Sequence, residues 1–175
     1  MKKKFASFIV DRLISRNTRK RDVVNLKDAK SVGILFLANS ESACKEVNGF
    51  AEELRGMGID TTVVGFINRR DPHEYHLKIN NMSFFTLKNC YWYGRPKDFA
   101  VRKFVAQEFS ILIDLNLKEY LPTRYITGKS MAHLKVGNMG NNAVDIMIDT
   151  SKEPKLRYFI NEVIRYLNLL TPKKP

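Results

Sequence analysis

Residues 109–137 read FSILIDLNLKEYLPTRYITGKSMAHLKVG, and this stretch decides the fold that the sequence predicts. It contains two short apolar runs, at 111–115 and at 132–136, with polar residues between them. Between the runs we expect a short helix that is broken at Pro122 and stops at Gly128. Buried strands joined through a helix are typical of a parallel sheet that is covered on both faces. The stretch therefore predicts one β-α-β unit.

The chain on both sides of this unit continues the alternation of strands and helices. We predict further strands at 32–37, 61–67, 84–87 and 144–148, a helix at 97–108 and a last helix that begins at residues 151–154. Only seven residues separate 132–136 from 144–148, whereas a parallel crossover needs about a dozen. We therefore expect these two strands to form an antiparallel hairpin at the sheet edge. The predicted fold is α/β, a Rossmann-like three-layer sandwich whose mostly parallel sheet has five to six strands, with an N-terminal amphipathic helix.

The basic residues are concentrated at the ends of the chain. The formal net charge is +12, and residues 1–30 hold ten Lys or Arg against three acidic residues, a local charge of +7. Lys173 and Lys174 add two charges at the other end, which leaves +3 for residues 31–170. A chain of 175 residues suits one domain. We therefore predict a basic amphipathic helix and linker at 1–30 and a single Rossmann-like domain at 31–175.

The predicted N-terminal helix, residues 3–16, carries apolar residues at helical spacing with basic residues between them. It either packs on its own domain or lies on an anionic membrane or in the groove of a partner protein. A basic segment also attracts nucleic acid, which is a further candidate partner for residues 1–30. The apolar positions are Phe5, Phe8, Ile9, Leu13 and Ile14.

The cysteines and histidines indicate neither a disulfide framework nor a metal site. Cys44 and Cys90 lie far apart without a CxxC pair, which suits a reducing cytoplasm, and no run approaches the ~20 apolar residues of a membrane span. His73 and His76 are three positions apart and could bind a metal if they were helical. Because no further ligand is evident, we predict that residues 68–81 form an exposed loop and that the protein holds no metal.

Ligands of open α/β sheets gather outside the carboxyl ends of the parallel strands. Strand alternation also places His133 and Lys135 on one face, where they could bind an anionic group or move a proton with Asp114. An edge strand with one solvated face would show the same alternation. The candidate ligand-binding residues are Asn39, Ser40, Asp114, Asn116, His133, Lys135, Gly137 and Asn138.

No motif identifies a cofactor or a catalytic set. The first strand is followed by Ala38-Asn39-Ser40-Glu41, which lacks the glycine fingerprint of dinucleotide-binding folds, and Glu41 would repel a phosphate from the helix N-terminus. No serine has a GxSxG context. The cofactor and the catalytic residues are therefore unknown.

An aromatic cluster lies between the third predicted strand and the helix at 97–108. Tyr91, Trp92 and Tyr93 are followed by Arg95. Aromatic rings beside an arginine can hold a nucleic-acid base or a sugar ring. The alternative is a loop that packs its rings against the sheet.

Two resemblances follow from these segments. ILIDLN, YITGKSMAHLKVG, VDIMID and a last helix ending in YLNLL resemble an uncharacterised bacterial family of small α/β proteins, a domain of unknown function, over most of the chain beyond residue 30. Residues 111–137 are similar in layout to the amino-terminal Rossmann-like half of heptosyltransferase-like glycosyltransferases, with Lys135, Val136 and Gly137 in place of an Arg-Ile-Gly-like triplet. The second resemblance implies nucleotide-sugar chemistry, but the family's nucleotide-sugar site belongs to a carboxyl half for which this chain has no room.

We predict a cytoplasmic, non-catalytic module that binds a small anionic ligand or a protein partner. One alternative is a degenerate glycosyltransferase-like or nucleotide-binding enzyme that uses Asn39, Asp114 and Lys135. The other is a peripheral protein attached to nucleic acid or to a membrane through residues 1–30.

Overall fold

Six parallel strands form the centre of the computed structural model, which describes residues 2–171. Their order is β3-β2-β1-β4-β5-β6, and every neighbouring pair is parallel. The predicted Rossmann-like α/β fold is confirmed. The strands are β1 (Ser31–Leu37), β2 (Asp60–Ile67), β3 (Ser83–Thr86), β4 (Ile111–Asp114), β5 (Leu134–Asn138) and β6 (Ile146–Ile148).

Helices cover both faces of the sheet, which explains why its central strands are apolar throughout. One face packs against α2 and α6, and the other packs against α4 and α5. Helix α1 contacts α5. Within residues 2–171, no helix is long and apolar enough to cross a bilayer. The helices are α1 (Lys2–Ile14), α2 (Glu41–Gly56), α3 (Glu74–Leu77), α4 (Phe99–Ala106), α5 (Leu121–Lys129) and α6 (Leu156–Leu169).

The predicted antiparallel edge is wrong, because β6 runs parallel to β5 with Val136 opposite Ile146. A strand of three residues needs only a short return, so a loop made of two turns replaces the usual crossover helix. This loop passes so close to β5 that a Cβ on Gly137 would lie 2.8 Å from Val144. Asp145 then donates its backbone N–H to the carbonyl of Lys135 at 2.9 Å and aligns the last strand.

Two residues of α5 have roles that differ from the prediction. Pro122 lies in the first turn of α5 rather than breaking it, because a first-turn residue needs no N–H donor. Gly128 is the next-to-last residue of the helix and does not have the positive φ that is typical of a glycine stop. A Cβ on Gly128 would overlap the side chain of Ile14, so this glycine allows α1 to approach α5 closely.

Residues 15–30, which we call the arm, connect α1 to β1 and bind the region before β5. The Asn17 amide donates to the carbonyl oxygens of Gly128 at 2.8 Å and of Ser130 at 3.0 Å. Arg19 donates to the carbonyl of His133 at 2.8 Å and forms an ion pair with Asp145 at 2.5 Å, with only 5% of its side chain exposed. The arm thus supplies donors to carbonyls that the helix and sheet leave free.

The predicted exposed loop at 68–81 contains α3, and His76 in that helix is buried. Its Nε2 donates to the carbonyl of Ala38 at 2.7 Å, which ties α3 to the end of β1. The aromatic contacts of His76 with Tyr75 and Phe84 explain its burial. Within the described residues no group of three potential metal ligands occurs. The predicted basic tail, with Lys173 and Lys174, lies outside the described residues.

Candidate functional site

A pocket of about 200 Å³ opens at the carboxyl edge of the sheet, between the ends of β4 and β5. We call it the Asp114 pocket. The loop after β4, the start of α5 and the loop after β5 form its walls. It brings together three of the predicted residues, Asp114, Asn116 and Asn138. The other lining residues are Leu117, Lys118, Glu119, Thr123, Arg124, Met139, Gly140 and Asn141.

Asp114 ends β4 and is 2% exposed. Its Oδ1 accepts from the backbone N–H of Asn116 at 3.1 Å and from the Asn116 amide at 2.5 Å. Its Oδ2 accepts from the Thr127 hydroxyl at 2.7 Å and from the Asn141 amide at 2.9 Å. The carboxylate therefore ties β4 to α5 and to the loop after β5.

Burial raises the pKa of Asp114, and the hydrogen bonds from Thr127, Asn116 and Asn141 oppose that rise. Among the described residues, no lysine or arginine forms an ion pair with this carboxylate. Four neutral donors replace the cation that a buried carboxylate usually requires.

Asn116 has a buried acceptor without a partner. The residue is 7% exposed, and its Oδ1 receives no hydrogen bond within the described structure. The side-chain orientation is fixed, since its amide nitrogen must face the carboxylate of Asp114. An unsatisfied buried acceptor costs about 1–3 kcal/mol, so a donor from a bound molecule would stabilise this pocket.

Asn138 builds the wall of the pocket. Its amide donates to the carbonyl of Leu117 at 3.0 Å, and its Oδ1 accepts from the Thr150 hydroxyl at 2.8 Å. Gly137 precedes it on β5 and lies beneath Val144. Asn138 and Gly137, which were both predicted as site residues, therefore shape the pocket. The acceptor without a partner belongs to Asn116.

Asn39 and Ser40 line a different pocket, of about 320 Å³, between the ends of β1 and β4. We call it the switch-point pocket, because the strand order reverses there. Asn39 Oδ1 accepts from the backbone N–H of Asn68 at 2.9 Å, and Ser40 Oγ caps α2 by accepting from Ala43 at 3.2 Å. The segment that contains Lys118 lines both pockets.

His133 and Lys135 do not line the Asp114 pocket. Lys135 is 2% exposed, and its Nζ donates to the carbonyl of Thr127 at 2.6 Å and to that of Gly128 at 3.3 Å, near the end of α5. Burial lowers the pKa of Lys135 to about 7. His133 precedes β5, and its carbonyl accepts from Arg19. Thr127 therefore bonds to both Lys135 and Asp114, but neither Lys135 nor His133 reaches the Asp114 pocket.

The aromatic cluster at 91–95 forms a tight turn, in which Gly94 has a φ of 94°. The rings of Tyr91 and Tyr93 stack with centroids 5.6 Å apart. Trp92 is 64% exposed, so its ring does not pack against the sheet. Instead it stacks on Phe5 of α1. Arg95 lies exposed on the same turn.

The candidate residues predicted from the sequence did not include two members of the Asp114 network, Thr127 and Asn141. Thr127 follows Asp114 by thirteen positions and reaches it only because α5 packs over β4. Asn141 belongs to an Asn/Gly-rich loop, and this composition was the only feature of the sequence that could have pointed to it. A buried aspartate next to such a loop suggests an amide donor, but the sequence does not show which asparagine supplies it.

Comparison with known families identifies the chain. A family model described as a family of unknown function, DUF6913, matches residues 2–170. The chain belongs to this family. Comparison of this DUF6913 protein with curated proteins and with solved structures gave no match. The match includes α1 and the arm as well as the sheet.

Proposed function

We propose that this DUF6913 protein is a binding module that holds a small polar molecule in the Asp114 pocket. The observation that carries the proposal is the buried, unpaired Oδ1 of Asn116, a residue that lines a pocket at the carboxyl edge of a parallel sheet. This edge is where α/β sheets of this kind bind their ligands. Asp114 fixes the Asn116 amide and so preorganises the acceptor.

The pocket favours a ligand with a hydroxyl or amino donor. Oδ1 of Asn116 can only accept, so a group that is itself only an acceptor gains nothing there. Lys118 is exposed at the pocket and forms no ion pair within residues 2–171, so it can neutralise an anionic group. A volume of about 200 Å³ suits a molecule the size of a sugar or an amino acid rather than a dinucleotide.

The contacts of Asp114 favour binding over catalysis. Both carboxylate oxygens are occupied by donors, and the Nζ of Lys135 donates to backbone carbonyls rather than to Asp114 and does not line the pocket. A general base needs a free oxygen within reach of the substrate proton. The free thiols Cys44 and Cys90 support a cytoplasmic setting.

A nucleotide-binding or glycosyltransferase-like role is a second candidate, favoured by the switch-point pocket. The strand order β3-β2-β1-β4-β5-β6 is that of nucleotide-binding Rossmann folds, and the pocket at its reversal is about 320 Å³. Against this role, Glu41 occupies the first turn of α2, where a phosphate would bind.

A thermal-shift screen with monosaccharides, sugar phosphates, amino acids and nucleotides tests both candidates. A ligand at ~100 times its dissociation constant adds about 2.7 kcal/mol to the free energy of unfolding and raises the melting temperature. For the compound that gives the largest shift, titration calorimetry then compares wild type with Asn116→Leu and Asn39→Leu. The two variants remove one side-chain amide from each pocket.

We expect Asn116→Leu to weaken binding by about tenfold or more, the value of one buried hydrogen bond, and Asn39→Leu to leave it unchanged. Circular dichroism is used to check that each variant is folded. Loss of binding only in Asn39→Leu would move the site to the switch-point pocket. Failure of every compound to shift the melting temperature would contradict both candidates.

A further inference from the structure

Helix α1 has an outer face that the protein leaves uncovered. Ala6 and Val10 are buried against the domain, whereas Phe5 and Phe8 are each 59% exposed. Helical spacing of three and four residues puts Phe5, Phe8 and Arg12 on the same side of α1. Two phenylalanines therefore face solvent beside an arginine.

Trp92 extends this face beyond the helix. Its ring lies parallel to that of Phe5, with centroids 6.1 Å apart and an angle of 11° between the planes. Trp92 is 64% exposed. We call Phe5, Phe8 and Trp92 together the Phe5–Trp92 surface. Adjacent exposed aromatic rings on a protein surface indicate an interaction site.

The charges of helix α1, which carries Phe5 and Phe8, are almost all positive. The only acid of α1, Asp11, is paired with Arg124 of α5. Five exposed cations of α1 and the start of the arm form no ion pair within residues 2–171. They are Lys2, Lys3, Lys4, Arg12 and Arg16.

We propose that the Phe5–Trp92 surface docks the protein on a membrane that contains anionic lipid, with α1 lying in the plane of the interface. A helix with aromatic residues and lysines on its outer face binds at the boundary between headgroups and acyl chains. Tryptophan is enriched at that boundary because its ring is both apolar and a hydrogen-bond donor. The lysines and arginines are attracted to anionic headgroups.

A lipid surface fits these residues better than nucleic acid does. Bases bind by stacking on open ring faces, but Phe5 already covers one face of Trp92. Phenylalanines one turn apart on a helix can instead insert into the acyl boundary together. The inner face of α1 stays packed on α5 through Ile14 and Gly128, so docking requires no unfolding.

Trp92 is the only tryptophan of the chain, so its fluorescence reports directly on this surface. The full chain is titrated with vesicles of phosphatidylcholine and phosphatidylglycerol, and with vesicles of phosphatidylcholine alone. We expect a blue shift of the emission and co-sedimentation with the mixed vesicles, both weakening as salt is raised. The pure phosphatidylcholine vesicles should bind far more weakly.

Variants separate the aromatic and the ionic contributions. Phe8→Ala should lower the partition coefficient of the protein onto the mixed vesicles by about tenfold. The control is Phe99→Ala, which removes an aromatic ring that is 74% exposed on α4 and should not change this coefficient. Replacing Lys2, Lys3 and Lys4 by alanine should weaken it by about fivefold per charge. The control for charge replaces the exposed Lys78, Lys103 and Lys152 by alanine.

Three results would overturn the proposal. The first is no blue shift and no co-sedimentation with anionic vesicles at low salt. The second is equal weakening by the α1 variants and by their controls, which would mean that net charge alone drives binding. The third is an oligonucleotide, or a second copy of the chain detected by sedimentation, that protects Trp92 from quenching when vesicles do not.

Discussion

The buried amine of Lys135 should give the stability of this protein an unusual dependence on pH. Burial and the nearby charge of Arg19 lower its pKa from 10.5 to about 7 in the folded state, and Asp145 opposes the shift. Between these two pKa values the unfolded chain holds a proton that the folded chain has released. The free energy of unfolding therefore rises with pH through this window.

The size of the effect follows from the shift. A difference of about 3.5 units corresponds to about 5 kcal/mol over the whole window, at about 1.4 kcal/mol per unit. Over the accessible range from about pH 7 to about pH 9, the contribution of Lys135 should rise by about 2 kcal/mol. Below about pH 7 the amine is charged in both states, so its contribution is constant.

The test is urea unfolding, followed by circular dichroism, of wild type, Lys135→Met and Lys103→Met at several pH values. Methionine keeps the apolar stem of Lys135 and removes its charge. The stability of wild type minus that of Lys135→Met should rise with pH, because subtraction cancels all other titrations. The exposed Lys103 is the control and should leave the slope unchanged. Parallel profiles for wild type and Lys135→Met would refute the reasoning.

Two further substitutions test the packing and the Asp114 network by the same unfolding measurement. Gly128→Ala should destabilise by about 1–3 kcal/mol, because the new methyl group overlaps Ile14. Gly49→Ala is the control, since it lies inside α2 with free space around it, and should stabilise by about 0.5–1 kcal/mol; equal effects would contradict the close approach of α1. Thr127→Val should cost about 1–3 kcal/mol by leaving Asp114 one donor short, and an unchanged stability would show that Asp114 does not need this donor.

The sequence predicted the sheet well because each buried strand leaves a contiguous apolar run. β1, β2 and β4 all have this form, and the helices between them impose the parallel direction. The predicted direction of β6 was wrong. The rule that a parallel crossover needs about a dozen residues assumes that the chain returns along a full-length strand, whereas β6 has only three residues. Gly128 lies within one residue of the predicted helix end, but its contact with Ile14 was not predicted, because Ile14 is more than a hundred positions away.

The sequence predicted only those residues of the candidate site that lie at the ends of strands. Asp114, Asn116 and Asn138 lie together because β4 and β5 end at the same edge. Lys135 lies on the same strand as Asn138, but alternation does not tell a solvated face from one covered by a helix. Its burial depends on the position of α5, which no local pattern determines.

The arm has a consequence for the order in which this chain can fold. Asn17 bonds to a residue 111 positions later, and the partner of Arg19 lies 126 positions later. Domains emerge from the ribosome amino end first. During synthesis, the arm therefore cannot be fully anchored until the chain has been made as far as Asp145. Closure of the arm through Arg19 therefore follows the synthesis of β1 to β5.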